Sequence, residues 1–270
     1  MKLAFIGGGN MARAIIGGLV ARGTRASDIG VVEPESIARL ALVSDFGVAT
    51  YEKPDESLAQ ARTAVFAVKP QHMREAARAA APHVAGALVI TVAAGVRIED
   101  LSRWLAGHAR IVRAMPNMPA LVHAGVAGLY AAPSVGPADR EAAESLLSAV
   151  GAALWFDSEG DLDAVTAVSG SGPAYVFYAI EALEEAARSL GLAEGAARSL
   201  ALWTFVGAAK LAIERGEDPA KLRAQVTSRG GTTERALQVL EDAQVKRHFI
   251  EAVRAACERS RELGAAFGKD

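Results

Sequence analysis

The chain has 270 residues, which allows one large domain or two modest ones. Its formal net charge is −2, with acidic and basic residues mixed along the sequence, so the charge pattern argues against nucleic acid as a partner. A single cysteine, Cys257, excludes an internal disulfide framework, and no Cys/His spacing resembles a metal site.

The N-terminal apolar run, residues 2–6, is too short for a signal peptide before glycines interrupt it. The uncharged stretches at 79–96 and 114–138 contain Pro, Gly and His at intervals typical of loops and short strands. Neither pattern predicts a membrane span. We therefore expect a soluble, cytoplasmic protein with no membrane partner and no bound metal.

Short β-branched runs alternate with helical patterns through the first 160 residues. The predicted strands of this part are 2–6, 29–33, 63–68, 87–93 and 110–115. The predicted helices between them run from Met11 to about Gly23 and over about 35–45, 70–80 and 98–106. This alternation predicts a parallel, doubly wound sheet. Two later strands, 124–131 and 153–156, flank a helix at about 137–150 and are candidates for antiparallel pairing.

The strand signal disappears after residue 163, and the rest of the chain is predicted to be helical. One helix starts near Pro173, with Ser169 and Ser171 as candidate N-caps, and reaches Leu190. A second covers 194–215, a third starts near Pro219, and two more extend to about 263. The sequence thus predicts an α/β domain over 1–160 and an all-helical domain over 161–270.

Two segments of the helical domain, 174–180 and 200–213, are apolar on nearly every face. Such a helix must be buried. A five-helix domain offers little interior for two of them, so we expect a second subunit to cover them. Packing against the first domain is the alternative.

The glycine-rich stretch 4–12, AFIGGGNMA, follows the first predicted strand and opens a helix. It fits the dinucleotide fingerprint with Gly7, Gly9 and Ala12 in the key places. Gly7 would make the tight turn, Gly9 would let a pyrophosphate approach the backbone, and Ala12 would let helix and strand pack closely. The turn also includes the candidate cofactor-binding residues Gly8, Asn10 and Met11. A glycine turn without a ligand is the alternative, which the strand–turn–helix context disfavours.

Glu33 ends the second predicted strand, where the ribose of a dinucleotide is usually recognised. A carboxylate there accepts hydrogen bonds from the 2′-hydroxyl and repels a 2′-phosphate, which favours NADH over NADPH. Arg39 lies close enough in sequence to contact a phosphate, so both cofactors stay open. The ends of later strands supply further candidate cofactor contacts: Val68, Lys69, Pro70, Ala94 and Asn117.

Six motifs in order resemble pyrroline-5-carboxylate reductases over almost the whole chain. They are AFIGGGNMA (4–12), AVKP (67–70), VAAGV (92–96), MPNMP (115–119), SGSGPAYVF (169–177) and VTSRGGTTERAL (226–237). The resemblance implies a Rossmann-type domain followed by a helical dimerisation domain. It also implies homodimers that often assemble into a ring of five dimers, a decamer.

The same resemblance implies NADPH- or NADH-dependent reduction of 1-pyrroline-5-carboxylate to L-proline by hydride transfer to a cyclic imine. In 226–237, glycine backbone angles and a helix N-terminus would bind the substrate carboxylate, and small hydroxyls would help. The substrate-binding candidates are Ser171, Ser228, Gly230, Gly231, Thr232 and Thr233. The resemblance assigns Thr233 the hydroxyl near the imine nitrogen, which makes it the catalytic candidate; an ordinary N-cap is the alternative for this stretch.

The sequence departs from the family pattern at Met118, where threonine is usual, and at Arg229, where many members have proline. Met118 puts one polar contact on the nicotinamide side in doubt. An alternative enzyme class is a dehydrogenase of a small 3-hydroxy acid, with Lys210 as its catalytic lysine. A non-catalytic nucleotide sensor is a third possibility, but it would not need the turn at 226–233.

Overall fold

The computed structural model describes residues 1–268. Two units emerge from its contacts: Met1–Ser171 with the residues from Ala256 onward, and Gly172–Ala255. The domain boundary near residue 160 stays a prediction. The last two residues of the predicted helical domain lie outside the described residues.

An eight-stranded sheet forms the centre of the first unit. The strands are β1 (Leu3–Ile6), β2 (Ile29–Val32), β3 (Ala49–Tyr51), β4 (Thr63–Phe66), β5 (Leu88–Thr91), β6 (Ile111–Met115), β7 (Gly125–Ala131) and β8 (Gly151–Trp155). Their order is β3-β2-β1-β4-β5-β6-β7-β8. The first six are parallel, β7 is antiparallel to β6, and β8 is parallel to β7. The predicted doubly wound sheet is confirmed.

Strand β3 was not predicted from the sequence. This strand has only three residues, of which Ala49 is exposed and Tyr51 is half-buried. It therefore lacks the buried apolar run by which the other parallel strands were found.

Helices cover both faces of the sheet and bury a core on each side. They are α1 (Asn10–Ala21), α2 (Ser36–Phe46), α3 (Pro70–Val84), α4 (Ile98–Trp104), α5 (Pro137–Ser148) and α6 (Asp161–Val165). Ile15 and Ile16 of α1 belong to one core, whereas Met73 of α3 and Leu101 of α4 belong to the other. Because helices cover both faces of the sheet, a ligand can reach the strands only at their ends.

A π-helical turn, Thr166–Gly170, follows α6 and leads into the second unit. The hydroxyl of Ser169 donates to the carbonyl of Val165 at 2.9 Å, and the N–H of Ser171 donates to the carbonyl of Thr166 at 2.8 Å. The expectation that Ser169 caps the following helix is therefore wrong. Its hydroxyl donates to the carbonyl of Val165, four residues earlier, instead of to the helix that follows. The sequence pattern of 166–170 did not distinguish the π-helical turn from that following helix.

The second unit is helical, as predicted. Its elements are α7 (Gly172–Ser189), α8 (Glu194–Arg215), α9 (Pro219–Gln225), α10 (Thr232–Asp242) and the first part of α11 (Val245–Phe267), which passes into the first unit at Ala256. Gly191 and Gly216 follow α7 and α8 with φ of +90° and +60°. Glycine tolerates this left-handed conformation, so both helices end where the sequence predicts.

Helix α8 is also long and apolar enough to cross a bilayer by length and composition, the one such helix among residues 1–268. Only 11% of its most apolar stretch is buried within the chain. An apolar helix exposed to water is unusual, so α8 needs a surface to cover it.

Candidate active site

The glycine turn after β1 has the geometry that a dinucleotide requires. Gly7 has φ of +98°, and a Cβ there would lie 2.9 Å from the carbonyl oxygen of Ala67. A Cβ on Gly9 would instead meet nothing within 4 Å, because this residue borders open space. Ala12 is fully buried against the sheet. The turn is thus closed on the protein side and open on the ligand side.

Helix α1 begins at Asn10, and its N-cap Gly9 offers no side-chain hydrogen bond. The N–H groups of Asn10 and Met11 have no acceptor within the helix, because the first turn of an α-helix lacks preceding carbonyls. The positive end of the helix dipole adds to these donors. This arrangement suits a pyrophosphate.

Glu33 comes directly after β2 and bridges the glycine turn to the start of α2. Its Oε2 accepts the N–H of Gly8 at 2.9 Å, and its Oε1 accepts the N–H of Glu35 at 3.0 Å. Arg39 donates to the carbonyls of Glu33 at 2.7 Å and Pro34 at 2.6 Å. The carboxylate is therefore fixed beside the turn, and the guanidinium lies on the adjacent backbone.

A cavity of about 720 Å³ opens at this point, where the strand order reverses between β1 and β4. It is lined by the predicted residues Gly7, Gly9, Glu33, Val68 and Lys69, among others. Open α/β sheets bind ligands at this switch point, and the volume suits a nucleotide. The chain's own residues therefore fit a dinucleotide.

Sequence reasoning missed part of the cavity wall. Lys53 and Pro54 line it from the segment after β3, and His72 lines it from α3. The first two were missed because β3 was missed. The available signal for His72 was its position two residues after the motif AVKP.

The other predicted cofactor contacts lie at the carboxyl ends of their strands. Lys69 is exposed at the N-cap of α3, and Pro70 is the first residue of that helix. Ala94 is half-buried in the loop after β5. Asn117 is buried, and its amide is already used: Oδ1 accepts the N–H of Val126 at 2.9 Å, and Nδ2 donates to the carbonyl of Ser169 at 3.0 Å.

The turn at 226–233 connects α9 to α10 in the second unit. Gly230 has φ of +71°, as the glycine permits, whereas Gly231 has an ordinary φ of −86° and is the N-cap of α10. The N–H of Gly231 donates to the carbonyl of Ser228 at 3.0 Å, and that of Gly230 donates to Oε2 of Glu234 at 2.7 Å. Both glycine N–H groups thus have acceptors within the turn.

Helix α10 starts at Thr232, so Thr232 and Thr233 occupy its first two positions. Their N–H groups lack helical acceptors, and Thr233 is half-buried while Thr232 and Ser228 are exposed. The free donors of the turn are therefore those of the helix start. The alternative catalytic lysine, Lys210, is 73% exposed and lies 3.7 Å from Glu214 on its own helix.

Together, the switch-point cavity and the glycine turn define a dinucleotide-binding protein of the Rossmann class. Comparison with known families agrees: residues 2–95 match the model described as NADP oxidoreductase, coenzyme F420-dependent. Residues 159–263 match the model described as pyrroline-5-carboxylate reductase dimerisation.

Similar proteins cover the whole chain. A pyrroline-5-carboxylate reductase of Pseudomonas aeruginosa is 42% identical over 99% of this chain and 98% of its own length. The structure of a pyrroline-5-carboxylate reductase from Coxiella burnetii has a TM-score of 0.92 and 40% identity, covering 97% of this chain and 98% of that one. The pyrroline carboxylate reductase of Plasmodium falciparum, solved with NADP bound, has a TM-score of 0.86 and 27% identity, covering 98% of each chain.

The chain belongs to the pyrroline-5-carboxylate reductase family. It is an NAD(P)-dependent oxidoreductase, and the 3-hydroxy-acid dehydrogenase alternative is not favoured. The exposed position of Lys210 agrees with that correction, because a catalytic lysine needs a site around it.

Proposed function

We propose that the chain reduces 1-pyrroline-5-carboxylate to L-proline with NADPH or NADH, the final step of proline biosynthesis. The observation that carries the proposal is the presence, in one chain, of the open glycine turn after β1 and the Thr/Gly turn before α10. The first suits a dinucleotide, and the second suits a small carboxylate.

Cofactor binding rests on the turn, the start of α1 and the strand ends beside them. Gly7, Gly8, Gly9, Asn10 and Met11 surround the pyrophosphate position. Glu33 borders the ribose, while Val68, Lys69, Pro70, Ala94 and Asn117 border the rest of the dinucleotide. We propose that Asn117 acts by fixing loops rather than by direct contact, because its amide is already bonded on both sides.

A reduced nicotinamide supplies the hydride that adds to the C=N carbon of the substrate. A protonated cyclic imine is already a good electrophile, so the protein needs no nucleophile of its own. The electron pair of the C=N bond goes to nitrogen, which becomes the amine of proline. What remains for the protein is to hold the carboxylate, present one face of the ring and exclude water.

The turn before α10 can hold that carboxylate. The free N–H groups of Thr232 and Thr233 and the helix dipole favour an anion there, and the Ser228 hydroxyl adds a donor. Gly230 and Gly231 shape the turn. Glu234 already bonds to the N–H of Gly230, so a substrate carboxylate would compete with it for that donor.

Thr233 is the catalytic candidate. Its hydroxyl would lie near the imine nitrogen and stabilise the proton on it, while its N–H contributes to the carboxylate site. Ser171, half-buried at the end of the π-helical turn, is the second-tier substrate contact. Both roles are carried over from the motifs TSRGGTT and SGSGPAY.

We propose a homodimer that can assemble further into a decamer of five dimers, acting in the cytoplasm without nucleic acid or membrane partners. The match of 159–263 to a dimerisation model includes all of α8. A second copy covering α8 accounts for its exposed apolar residues without a bilayer. The mixed surface charge offers no basic patch for nucleic acid.

The test is the loss of reduced-nicotinamide absorbance on addition of 1-pyrroline-5-carboxylate, with NADH and NADPH in parallel. We expect turnover and proline formation with at least one cofactor. If the folded protein binds the reduced dinucleotide but does not oxidise it when 1-pyrroline-5-carboxylate is added, the proposed substrate is wrong. Small 3-hydroxy acids and the Lys210→Ala variant would then be tested.

A further inference from the structure

A buried ionic network surrounds the end of the loop that contains the candidate cofactor contact Ala94, and it has no part in the proposed chemistry. Arg113 on β6 is 1% exposed, and its Nη1 donates to Oε1 of Glu159 at 3.0 Å. The same Oε1 accepts the N–H of Ile98, the first residue of α4, at 2.8 Å. Glu159 thus ties the middle of β6 to the start of α4.

A second carboxylate continues the network. Asp163 on α6 is 1% exposed; its Oδ2 accepts from Nη2 of Arg97 at 2.9 Å. Its Oδ1 accepts the hydroxyl of Ser260, on α11, at 2.8 Å. Burial lowers the pKa of Arg113, so the desolvation of these charges has a cost that must be offset elsewhere.

Both carboxylates act where the loop 92–97, which follows β5, meets the start of α4: Asp163 binds Arg97 and Glu159 binds Ile98. Arg97 ends that loop, and Ile98 follows it. Gly95 within it has φ of +77°, and a Cβ there would lie 3.0 Å from the ring of Phe267 on α11. On the other side of this contact, a Cβ on Gly264 would lie 3.1 Å from Nε of Arg97 and 3.4 Å from the carbonyl of Gly95.

The loop is therefore held from two directions. Carboxylates of the segment 159–163 bind its end, and the part of α11 from Ala256 onward packs directly on its backbone. The loop follows the carboxyl end of β5, the edge of the sheet where ligands of such folds bind, and it contains Ala94.

We propose that Asp163 and Ser260 are positioning residues for hydride transfer: they fix the loop 92–97, which contains the candidate cofactor contact Ala94, against α11, and the nicotinamide would lie against this loop. This inference rests on the proposed function. It adds a route by which residues remote from the substrate set the hydride-transfer distance. Errors of the order of 1 Å in such a distance can cost about 100-fold in rate.

The first test compares Asp163→Asn and Ser260→Ala with the wild-type enzyme. Asp163→Asn keeps the shape and an acceptor for Ser260 but loses the charge that holds Arg97. We expect kcat per folded site to fall roughly 10-fold in Asp163→Asn and roughly 3-fold in Ser260→Ala, with dinucleotide affinity changed less than about 3-fold.

The deciding readout is the primary isotope effect with nicotinamide deuterated at the transferred position. A misplaced nicotinamide slows hydride transfer, so the isotope effect should increase in both variants. A purely structural role would reduce the folded fraction or the melting temperature and leave the isotope effect and kcat per folded site unchanged. That outcome would overturn the inference.

Matched controls lie at the other end of the strands, near the amino ends of β5 and β6. Ser134 donates its hydroxyl to the carbonyl of Ala109 at 2.6 Å, just before β6, and Ser134→Ala should leave the isotope effect unchanged. Gly264→Ala, which crowds the loop, is compared with Gly86→Ala, where a Cβ meets nothing within 4 Å. Gly264→Ala should raise the isotope effect, and Gly86→Ala should not.

The proposed substrate and the positioning role are refuted by different results. If the wild type does not oxidise reduced nicotinamide with 1-pyrroline-5-carboxylate, the proposed substrate is wrong. If the wild type turns over and the Asp163, Ser260 and Gly264 variants match it in kcat and isotope effect, the positioning role is wrong and the proposed function stands.

Discussion

The two units bury their apolar side chains in different ways. In the sheet unit, two cores enclose fully buried side chains from strands and helices, such as Phe5 and Ile90. In the helical unit, α7, α9 and α10 have no buried residues, and α8 buries only Ala197 and Ala201. The sheet unit encloses its own core, whereas the helical unit exposes a large apolar surface.

Apolar residues are thus buried in a core in the sheet unit but lie on the surface in the helical unit. Leu200, Trp203 and Val206 recur on α8 at helical spacing and are 57%, 73% and 51% exposed. Residues of this kind normally form a core. Here they are available for an interface, in agreement with the dimerisation model that matches this part of the chain.

Trp203→Glu is expected to have the largest effect of the variants that test this contrast between the units. A charge at the centre of the proposed interface should cost roughly 2–4 kcal/mol per copy and dissociate the oligomer. Light scattering across a dilution series measures the change. The matched control is Ile37→Glu on α2, which is 80% exposed in the sheet unit and should leave the assembly intact. Dissociation by both variants, or by neither, would contradict an interface on α8.

Thr233→Ala tests the chemistry assigned to the helical unit. We expect kcat to fall roughly 10- to 100-fold, as the loss of one hydrogen bond to a charged group costs about 1.5–3 kcal/mol. Dinucleotide affinity, a property of the sheet unit, should stay the same. Thr233→Ser restores the hydroxyl and should recover most of the loss. Unchanged turnover in Thr233→Ala would remove this side chain from the mechanism.

Glu33→Ser tests the corresponding specificity of the sheet unit. Removing the carboxylate that would repel a 2′-phosphate should raise the NADPH/NADH ratio of kcat/KM roughly tenfold. Glu33→Gln is the informative companion, because it removes the charge and keeps an oxygen for the N–H of Gly8. Equal shifts in both variants would assign the preference to charge. No shift in either would refute the assignment of Glu33 to the ribose.

His108→Gln has the smallest expected effect and concerns stability alone. Burial lowers the pKa of His108 below its ordinary 6.5, so the folded state favours the neutral ring. Its stabilising contribution is complete above pH 6.5 and is lost as the pH falls, because the unfolded chain then takes up the proton more readily. Between pH 7.5 and 5.5, the melting temperature of the wild type should fall about 1–2 °C more than that of His108→Gln. Parallel pH profiles of the two proteins would refute this.

Local signals made much of the fold predictable. The limits of α8, 194–215, follow from the glycines at 191 and 216 and the continuous apolar run between them. The glycine turn is predictable because the dinucleotide fingerprint places Gly7 and Gly9 directly between the first strand and the first helix. By contrast, β3 gives no local signal, so the cavity wall at Lys53 and Pro54 was missed with it.

The contacts that fix the site are harder to predict because they join distant residues. Asn117 was assigned to the cofactor side from its motif, yet its amide joins Val126 and Ser169, the latter 52 residues away. Asp163 and Ser260 are 97 residues apart and form a buried hydrogen bond. Hydrophobic periodicity and secondary-structure propensity describe neighbouring residues only, so they cannot predict a contact between residues this far apart in the sequence.

The division of the chain also has a consequence for its synthesis. The sheet unit takes its last segment from Ala256 onward, after all of Gly172–Ala255. A ribosome adding about 5–20 residues per second reaches that segment roughly 4–17 seconds after Ser171. During this interval the nascent sheet unit lacks the partner for Gly95 and Asp163. Helices α7 to α10 are therefore made before the sheet unit is complete.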